Sequence, residues 1–516
     1  MNGNFCLKIL LTCGTGYDKI ESDSFITVNW RILMKNHLFI LAAMLVLSSC
    51  ADTADNDTQT EALTQPTTES VVQTEAETEA SAPTLPAADY GGDDFCFLNG
   101  NTATWMTTYV VTAEAENGEA VNDAIYQRNL AVEEQFNVKV TEISSNNVLA
   151  DARKSIQAGD DAFDVILITT SSIDLITSNM VLDFAEVPHL NLTAPWWIEK
   201  PMNDLTIGGK MYFGLSQFDT SHYDSTRPVL FNKVLLADYD LESPYDLVRA
   251  GTWTLDKFRE MGLAVARDLD GDSTWTENDQ YGLTTWYGQF SCSIPTGVGA
   301  MLTLTKDEND MPYFGMNTPY YIDRLTAVTD FYVNYPGLVN PTGVADNNGG
   351  VDVFREGRAL FYVEGLGNAQ KLRQMDIDFG IVPAPKYDAA QENYISHGGY
   401  PFFMMIPTTN ADLDRTGVLL EALAYESMKT VKPAFYDGML RGKISRDNDS
   451  EAMLDIVFTT LQYDLPIALT EVSSSVAENY IQRGKTDFAS YFSSVEDKVQ
   501  KQIDAVVEAY RANVGN

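Results

Sequence analysis

The sequence predicts an α/β fold, and two stretches of the chain carry that prediction. In the first stretch, apolar and β-branched runs at Phe95–Leu98, Val138–Ile143 and Val165–Ile168 have the composition of strands. Between them, Glu119–Phe136 and Val148–Gln157 place apolar residues near helical spacing. The order strand, helix, strand, helix, strand is typical of a parallel sheet with covering helices.

The second stretch runs from Phe354 to Pro407 and repeats this alternation. Its three apolar runs, Arg358–Val363, Phe379–Val382 and Tyr400–Ile406, predict strands. A turn with paired glycines, Ser396–Gly399, lies between the last two runs. Ligands of open α/β sheets bind at strand ends, where such turns gather. The alternative, an ordinary sheet with ordinary turns, stays open at this point.

The totals indicate a large, exposed, acidic protein. A chain of 516 residues predicts two to three compact units, and 45% apolar residues are enough for a sizeable core. The formal net charge of −39 should repel nucleic acid and anionic lipid. The charge therefore fits a protein that handles neutral or cationic ligands.

The first 49 residues predict export. Residues 1–33 do not have the composition of an export signal and are expected to be a spurious extension, with translation starting at Met34. A basic start is followed by the apolar run Leu38–Leu47, which as a helix would rise only about 15 Å and is too short to cross a bilayer. This predicts a signal peptide at residues 34–49.

The end of the signal peptide resembles the bacterial lipobox, because small residues precede Cys50. That resemblance implies cleavage before Cys50 and diacylglycerol on its sulfur; cleavage by the general signal peptidase is the alternative. Residues 51–89 contain nine Asp or Glu and no Lys or Arg, a composition that predicts an acidic, disordered tether.

Motifs for common enzyme chemistry are missing from the sequence. There is no Walker loop, GxGxxG, GxSxG or HExxH motif. Cys96 and Cys292 are the cysteines that follow the predicted lipidation site, and they fit two separate thiols better than a disulfide. Carboxylates are too numerous to exclude a glycosidase pair, but no pattern points to one.

One acidic loop predicts a structural calcium ion. In DLDGDSTWTEND, the side-chain and carbonyl positions of an EF-hand-type loop are occupied by Asp268, Asp270, Asp272, Thr274 and Asp279. Two positions depart from that pattern, because Ser273 replaces the glycine and the last ligand is Asp rather than Glu. A solvated acidic turn is the alternative.

Several stretches together resemble one family, the extracellular solute-binding proteins of ABC importers, which includes the maltose-binding proteins. They are the lipobox with its tether, FDVILI, LNLTAPWW, VLFNK, PYDLVRAGTWTLDKF, DLDGDSTWTENDQYG, FREGRALF and VPAPKYDAAQENY. The resemblance implies a two-lobed periplasmic-binding-protein type II fold, with hinge-linked lobes and a central ligand cleft. It places lobe 1 at 90–226 plus 403–460 and lobe 2 at 227–402 plus 461–516, with crossings near Arg227–Phe231 and Gly398–Phe402.

The resemblance also implies a set of ligand contacts. Sugar binders stack pyranose rings on aromatic faces and replace the hydration of the hydroxyls with polar side chains. By position, the expected contacts are Trp196, Trp197, Asp219, Tyr223, Trp286, Tyr287, Tyr362, Glu364 and His397. The chain departs from compact sugar binders through an insertion around Thr305–Pro312.

The resulting expectation is a monomeric, lipid-anchored protein at the extracellular face of the cytoplasmic membrane. It would capture a carbohydrate, expected to be an oligosaccharide, deliver it to the permease subunits of an ABC importer, and perform no catalysis. A surface glycoside hydrolase and a ligand-sensing adhesion module are the competing hypotheses. A peptide or polyamine ligand in the same fold is a further alternative.

Overall fold

The computed structural model describes residues 81–100, 111–169, 173–300, 304–340, 350–369, 372, 375, 377–436, 448–465 and 477–514. All of them fall within one unit, Glu77–Asn516. The predicted signal peptide, Cys50 and most of the predicted tether lie outside the described residues. None of the described helices combines the length and apolar composition that a membrane-spanning segment needs.

Strands and helices alternate along the described chain. The strands are β1 Asp93–Asn99, β2 Val138–Ser144, β3 Val165–Ile168, β4 Val229–Asn232, β5 Tyr281–Thr285, β6 Leu304–Lys306, β7 Pro312–Phe314, β8 Ala359–Val363, β9 Phe379–Val382, β10 Ser396–His397, β11 Phe403–Met405 and β12 Leu461–Gln462. The first helices are α1 Ala120–Phe136, α2 Val148–Ala158, α3 Ile173–Thr177, α4 Glu199–Asp204, α5 Ser221–Asp224, α6 Lys233–Asp238, α7 Pro244–Arg249, α8 Leu255–Val265 and α9 Tyr287–Gly297. The later helices are α10 Pro319–Val333, α11 Val351–Arg355, α12 Leu366–Ala369, α13 Leu413–Lys429, α14 Val431–Tyr436, α15 Asn448–Thr459, α16 Glu478–Gln482 and α17 Phe488–Val514.

The first sheet has the order β11-β3-β1-β2. β1 pairs in parallel with β2 and with β3, and β11 joins the edge antiparallel to β3. All four residues of β3 are buried, as expected for a central strand covered on both faces. The predicted strand-helix-strand-helix-strand order is confirmed in this sheet.

Local signals explain where the helices of the first sheet begin and end. α1 ends at Asn137, which adopts the left-handed conformation (φ 47°) and donates its N–H to the carbonyl of Glu133. The side chain of Asn147 accepts from the N–H of Ala150 and caps the start of α2. These short caps hold β2 in register beside β1.

The second sheet has the order β5-β8-β4-β9 and is mixed rather than mostly parallel. β5 and β8 are parallel, whereas β4 is antiparallel to both β8 and β9. The sheet is mixed because the chain enters it through β4, which takes a central place and runs against both neighbours. The predicted α/β fold class is confirmed.

At one edge of the second sheet, formed by strand ends, the ends of β5 and β8 lie beside the start of β4. Thr285 pairs with Val363, and Val363 and Val382 both pair with Val229. The residues that follow β5 and β8, and those that precede β4, therefore lie side by side. This edge carries Trp286 and Glu364.

The chain crosses between the two sheets in two described segments. The first crossing ends before Val229, because β4 already belongs to the second sheet. We call Ser216–Pro228 the first crossing, and it overlaps the start of the predicted crossing near Arg227–Phe231. The return at Gly398–Phe402 leads directly into β11 of the first sheet, and both predicted crossings stay predictions. A third segment, Leu461–Gln462, lies beside the return crossing, because β12 pairs in parallel with β10.

The C-terminal helices pack differently from the predicted grouping. Ser450 of α15 accepts the N–H of Ile381 in β9 at 3.3 Å and lies 2.7 Å from the hydroxyl of Tyr245 in α7. α15 thus packs on the second sheet, whereas the predicted boundaries grouped residues 403–460 with the first. The lobe boundaries themselves stay predictions. The predicted insertion forms the antiparallel pair β6–β7.

Candidate functional site

A run of buried polar residues lies where the chain crosses from the first sheet to the second. No residue of Ser216–Thr226 is more than 8% exposed. The return crossing His397–Phe402 and the segment Leu461–Asp464 lie against this run, and we call the three segments together the junction cluster. Polar residues are mostly exposed in proteins, so such a concentration needs an explanation in terms of partners.

Asp219 ties the first crossing to the return crossing. Its carboxylate accepts the N–H and the hydroxyl of Ser221, both at 2.6 Å. The hydroxyl of Ser221 in turn accepts the N–H of Phe402 at 2.8 Å. Burial raises the pKa of Asp219 from 3.8 to about 7, and the hydrogen bonds from Ser221 oppose this shift.

Two neighbouring side chains keep polar atoms without a partner. The Nδ1–H of His222 donates to the carbonyl of Asp219 at 2.5 Å, so its Nε2 is an acceptor, and that atom has no hydrogen-bond partner among the described residues. The hydroxyl of Thr220 is likewise buried and unpartnered in the described part of the chain. Burial lowers the pKa of His222 to about 3, so the imidazole is neutral.

Tyr223 is a fixed part of the cluster rather than an open ligand contact. Its hydroxyl donates to the side-chain oxygen of Gln217 at 2.5 Å. Its ring stacks on Phe435, with centroids 4.9 Å apart, and lies 3.8 Å from the ring of His222. The predicted contact residue is therefore at the junction, with its polar atom already used.

His397 lies at the return crossing as predicted. Its Nδ1 accepts from the guanidinium of Arg227 at 2.8 Å and from the N–H of Gly399 at 2.9 Å. Burial, and then the charge of Arg227, hold the pKa of His397 well below its usual value. Arg227 also lies over the ring of Tyr400, at 5.3 Å from its centroid. The imidazole therefore anchors the return crossing to the first one.

Tyr463 supplies the third unpartnered atom. The residue is 1% exposed, and its hydroxyl has no hydrogen-bond partner among the described residues. Its ring lies against Gly398, where an added Cβ would come within 2.1 Å of it. Burial, with Asp219 as the next cause, raises the pKa of the phenol. The glycine at this turn therefore allows close approach, as the sequence predicted.

The end of β8 brings Glu364 beside the junction cluster. Its carboxylate accepts from the N–H of Gly365 at 2.7 Å and from the hydroxyl of Tyr362 at 3.3 Å. The N–H of Leu366 donates to the carbonyl of Thr226 at 3.0 Å. The structure thus joins the predicted pair Tyr362 and Glu364 to the first crossing.

Of the predicted aromatic contacts, Trp286 alone presents an open ring. It is 42% exposed at the end of β5, next to the edge that carries Glu364. Tyr287, by contrast, is 5% exposed, and its hydroxyl donates to the carbonyl of Glu478. Trp286 is therefore the candidate for stacking against a sugar ring.

Trp196 and Trp197 require a correction. They are 3% and 4% exposed, so neither ring forms an open platform. The indole N–H of Trp197 donates to Glu421 at 2.8 Å, and the ring of Trp196 packs edge-to-face on Tyr425 at 5.3 Å. Packing of the PWW segment against α13 turns both rings inward, so neither ring is an open stacking surface at the junction.

The acidic loop assembles part of the predicted calcium site. Ligand oxygens of Asp268, Asp270 and Asp279 lie within 4.8 Å of one another, whereas Asp272 is not in that group. The predicted carbonyl contribution of Thr274 stays a prediction. Ser273 adopts φ 65°, the left-handed conformation for which the motif uses glycine. Three clustered carboxylates fit Ca²⁺, and calcium binding stays a prediction.

Sequence reasoning missed Arg128, which supports the cluster from α1. The residue is 0% exposed, and its guanidinium donates to the carbonyls of Phe218 at 2.9 Å and Val111 at 2.5 Å. It also lies 4.2 Å from the centroid of the Phe218 ring. Burial lowers its pKa to about 9. Nothing in the helical pattern of α1 distinguishes this arginine from the charged residues around it.

Thr220, His222 and Tyr463 were also not predicted as contacts. The mostly polar run Gln217–Thr226, shortly before a buried strand, was the available signal for the first two. Cys96 and Cys292 are separate thiols, the second of them buried.

Comparison with known proteins agrees with this architecture. A family model for bacterial extracellular solute-binding proteins matches residues 112–424, more than half of the chain. Among curated proteins, none matches the chain at a significant level.

Three solved structures share the fold of this chain. UspC from M. tuberculosis has a TM-score of 0.52 at 11% identity, over 79% of this chain and 100% of that one. A cyclo/maltodextrin-binding protein complexed with maltotetraose has a TM-score of 0.50 at 13% identity, over 82% and 97%. UgpB from M. tuberculosis in complex with glycerophosphocholine has a TM-score of 0.50 at 14% identity, over 81% and 99%.

Proposed function

Because the chain belongs to the bacterial extracellular solute-binding proteins, we propose that it captures a carbohydrate at the junction cluster and delivers it to an ABC importer. The two sheets supply the two lobes of the family fold, and the junction cluster lies where the chain passes between them. Capture by hinge closure, without chemical conversion, is the expected event.

The observation that carries the proposal is the set of unpartnered atoms at the junction. The hydroxyl of Thr220, Nε2 of His222 and the hydroxyl of Tyr463 are all buried and lack partners among the described residues. A buried polar atom without a partner costs about 1–3 kcal/mol. A sugar hydroxyl both donates and accepts, so it can satisfy each of these atoms.

The charge and shape of the neighbourhood favour a neutral hydroxylated solute. Arg128 already donates to two carbonyls, so its guanidinium is engaged by the protein. The carboxylates of Asp219 and Glu364 are hydrogen-bonded by protein groups. Trp286 adds an exposed ring at the adjoining sheet edge, suited to the apolar face of a pyranose.

The proposed setting includes a lipid anchor on Cys50, an acidic tether, and placement at the outer face of the cytoplasmic membrane. The sequence pattern before Cys50 supports the anchor. The protein is proposed to be a monomer, and its expected protein partners are the permease subunits of the importer. A structural calcium ion at Asp268, Asp270 and Asp279 is part of the same proposal.

A thermal-shift screen of the full chain against oligosaccharides, peptides and polyamines tests the function. A ligand present at about 100 times its dissociation constant adds about 2.7 kcal/mol to the free energy of unfolding. We expect a shift with one class of oligosaccharide, which is then recovered intact. Tyr510→Phe serves as a control outside the junction, and its shift with sugar should match that of the wild type.

Other outcomes of the screen would change the conclusion. Recovery of a cleaved sugar would show that the protein hydrolyses its ligand and does not merely capture it. A shift with a peptide or polyamine, and none with sugars, would keep the fold and discard the carbohydrate.

A further inference from the structure

A second cavity, of about 500 Å³, lies beneath the segment that leads into β1. Its lining comes from Ser81–Leu85, from residues within the loop His189–Trp196, and from Glu421 of α13. We call it the strap cavity. Trp196, whose ring is not an open contact at the junction, lines this cavity.

The strap over this cavity is held in place by the first sheet's own elements. The N–H of Tyr90 donates to the carbonyl of Phe136 at 2.8 Å. The side-chain amide of Asn137 donates to the carboxylate of Asp89 at 2.7 Å. Leu85 packs against the main hydrophobic core. The wall formed by the strap is therefore part of the fold.

Glu421 brings a buried acceptor to the cavity. The residue is 1% exposed, and its Oε2 accepts from the indole of Trp197 at 2.8 Å and from the N–H of Asn191 at 3.2 Å. Its other oxygen, Oε1, is not used by either of these two bonds. Burial raises the pKa of this carboxyl group, and the indole N–H of Trp197 is the largest opposing cause.

Trp196 brings an unused donor. It lines the cavity, is 3% exposed, and its Nε1–H has no hydrogen-bond partner in the described part of the chain. The same N–H acts on the carboxylate of Glu421 and contributes to lowering its pKa. A buried carboxylate and a buried indole N–H thus adjoin one cavity.

The pairing of these groups selects the chemistry of the occupant. A hydroxyl group can donate to Oε1 of Glu421 and accept from Nε1–H of Trp196 at once. The rest of the lining is neutral and polar or apolar, apart from His189, whose Nε2 lies 2.9 Å from Asp414. An anion would meet a carboxylate without an opposing cation, and a polyamine would find a single carboxyl group whose pKa is raised.

We propose that the strap cavity is a second site, which binds a small neutral polyhydroxyl ligand such as a monosaccharide unit. The site is distinct from the junction cluster, although Trp196 borders both. Its carbonyl accepts the N–H of Gln217 in the junction at 2.8 Å, while its side chain lines the strap cavity. The proposal does not depend on the function assigned to the junction.

Saturation-transfer NMR of the full chain with D-glucose and N-acetyl-D-glucosamine at millimolar concentration tests the site. Glu421→Gln keeps an oxygen for the N–H of Trp197 but places an NH₂ group where Oε1 was. We expect it to weaken monosaccharide binding at the strap cavity by at least about tenfold, as for a lost hydrogen bond to a charged group. Trp196→Phe removes the N–H, keeps a ring, and should weaken it several-fold.

The matched control is Tyr510→Phe, which lies outside both the strap cavity and the junction and should leave this binding unchanged. Equal binding by wild type, Glu421→Gln and Trp196→Phe would overturn the proposal, as would the absence of saturation transfer to either monosaccharide. Binding that is lost in Tyr463→Phe and kept in Glu421→Gln would also overturn it, while leaving the junction function intact. If Glu421→Gln fails to fold, Trp196→Phe decides the question.

Discussion

Replacing Tyr463 by Phe should stabilise the ligand-free protein and weaken ligand binding, an unusual pair of effects. The hydroxyl is buried and has no partner among the described residues, and Phe keeps the ring that lies against Gly398. Relief of an unsatisfied buried group should raise the free energy of unfolding by up to about 1–3 kcal/mol. Loss of a hydrogen bond to a sugar hydroxyl should weaken affinity by about 0.5–1.5 kcal/mol, or roughly 2- to 12-fold.

Urea unfolding and titration calorimetry measure the two effects on the same preparation. Tyr223→Phe is the matched control, because its hydroxyl donates to Gln217 at 2.5 Å and its loss leaves a buried acceptor unpaired. That variant should be destabilised by about 1–3 kcal/mol. A Tyr463→Phe protein that is clearly less stable than wild type, with unchanged affinity, would refute the reasoning.

Three further predictions concern the groups around the junction and the acidic loop. Burial raises the pKa of Asp219 to about 7, so the contribution of Asp219 to stability falls as pH rises from about 4 to 7. Burial lowers the pKa of His222 to about 3, so the contribution of His222 to stability increases as pH rises from about 3 to 6.5. Urea unfolding across this range should therefore show Asp219→Asn gaining stability with pH relative to wild type and His222→Asn losing it, and parallel curves would contradict both assignments. Arg128→Met should cost about 3–6 kcal/mol in urea unfolding, because two carbonyl groups lose hydrogen bonds to a charged donor worth about 1.5–3 kcal/mol each; a loss below about 1 kcal/mol would show that the contacts are dispensable. Calcium should raise the melting temperature of wild type and of Asp272→Asn but not of Asp270→Asn, because Asp270 belongs to the close carboxylate group and Asp272 does not. Equal shifts in all three proteins would show that the loop is a solvated turn and not the calcium site.

The regular elements were predictable because their signals are local. The strand at Phe379–Val382 has the predicted bounds. The side chain of Thr254 caps α8 by accepting the N–H of Lys257. The glycines at the Ser396–Gly399 turn were also identified for the right reason, since Gly399 adopts φ 67°. Period, capping and turn chemistry are properties of adjacent residues, which a single sequence contains.

The direction of side chains was not predictable, because it depends on distant partners. Trp196 and Trp197 have the composition of a sugar platform, but Glu421 and Tyr425, more than 220 residues later, draw them inward. Trp286 and Tyr287 were predicted together as ligand contacts, but Tyr287 begins α9 and its hydroxyl donates to the carbonyl of Glu478. Packing overrides local propensity at both places.

Equilibrium dialysis of the full chain against the oligosaccharide that gives the largest thermal shift tests the central claim most directly. Bound sugar is counted for wild type and for a protein carrying both His222→Asn and Tyr463→Phe, and the dialysed sugar is examined by mass spectrometry. Capture at the junction predicts intact sugar and binding at that site that is at least about tenfold weaker in the double variant, from two lost hydrogen bonds. Cleaved sugar, or equal binding by the two proteins, would contradict it.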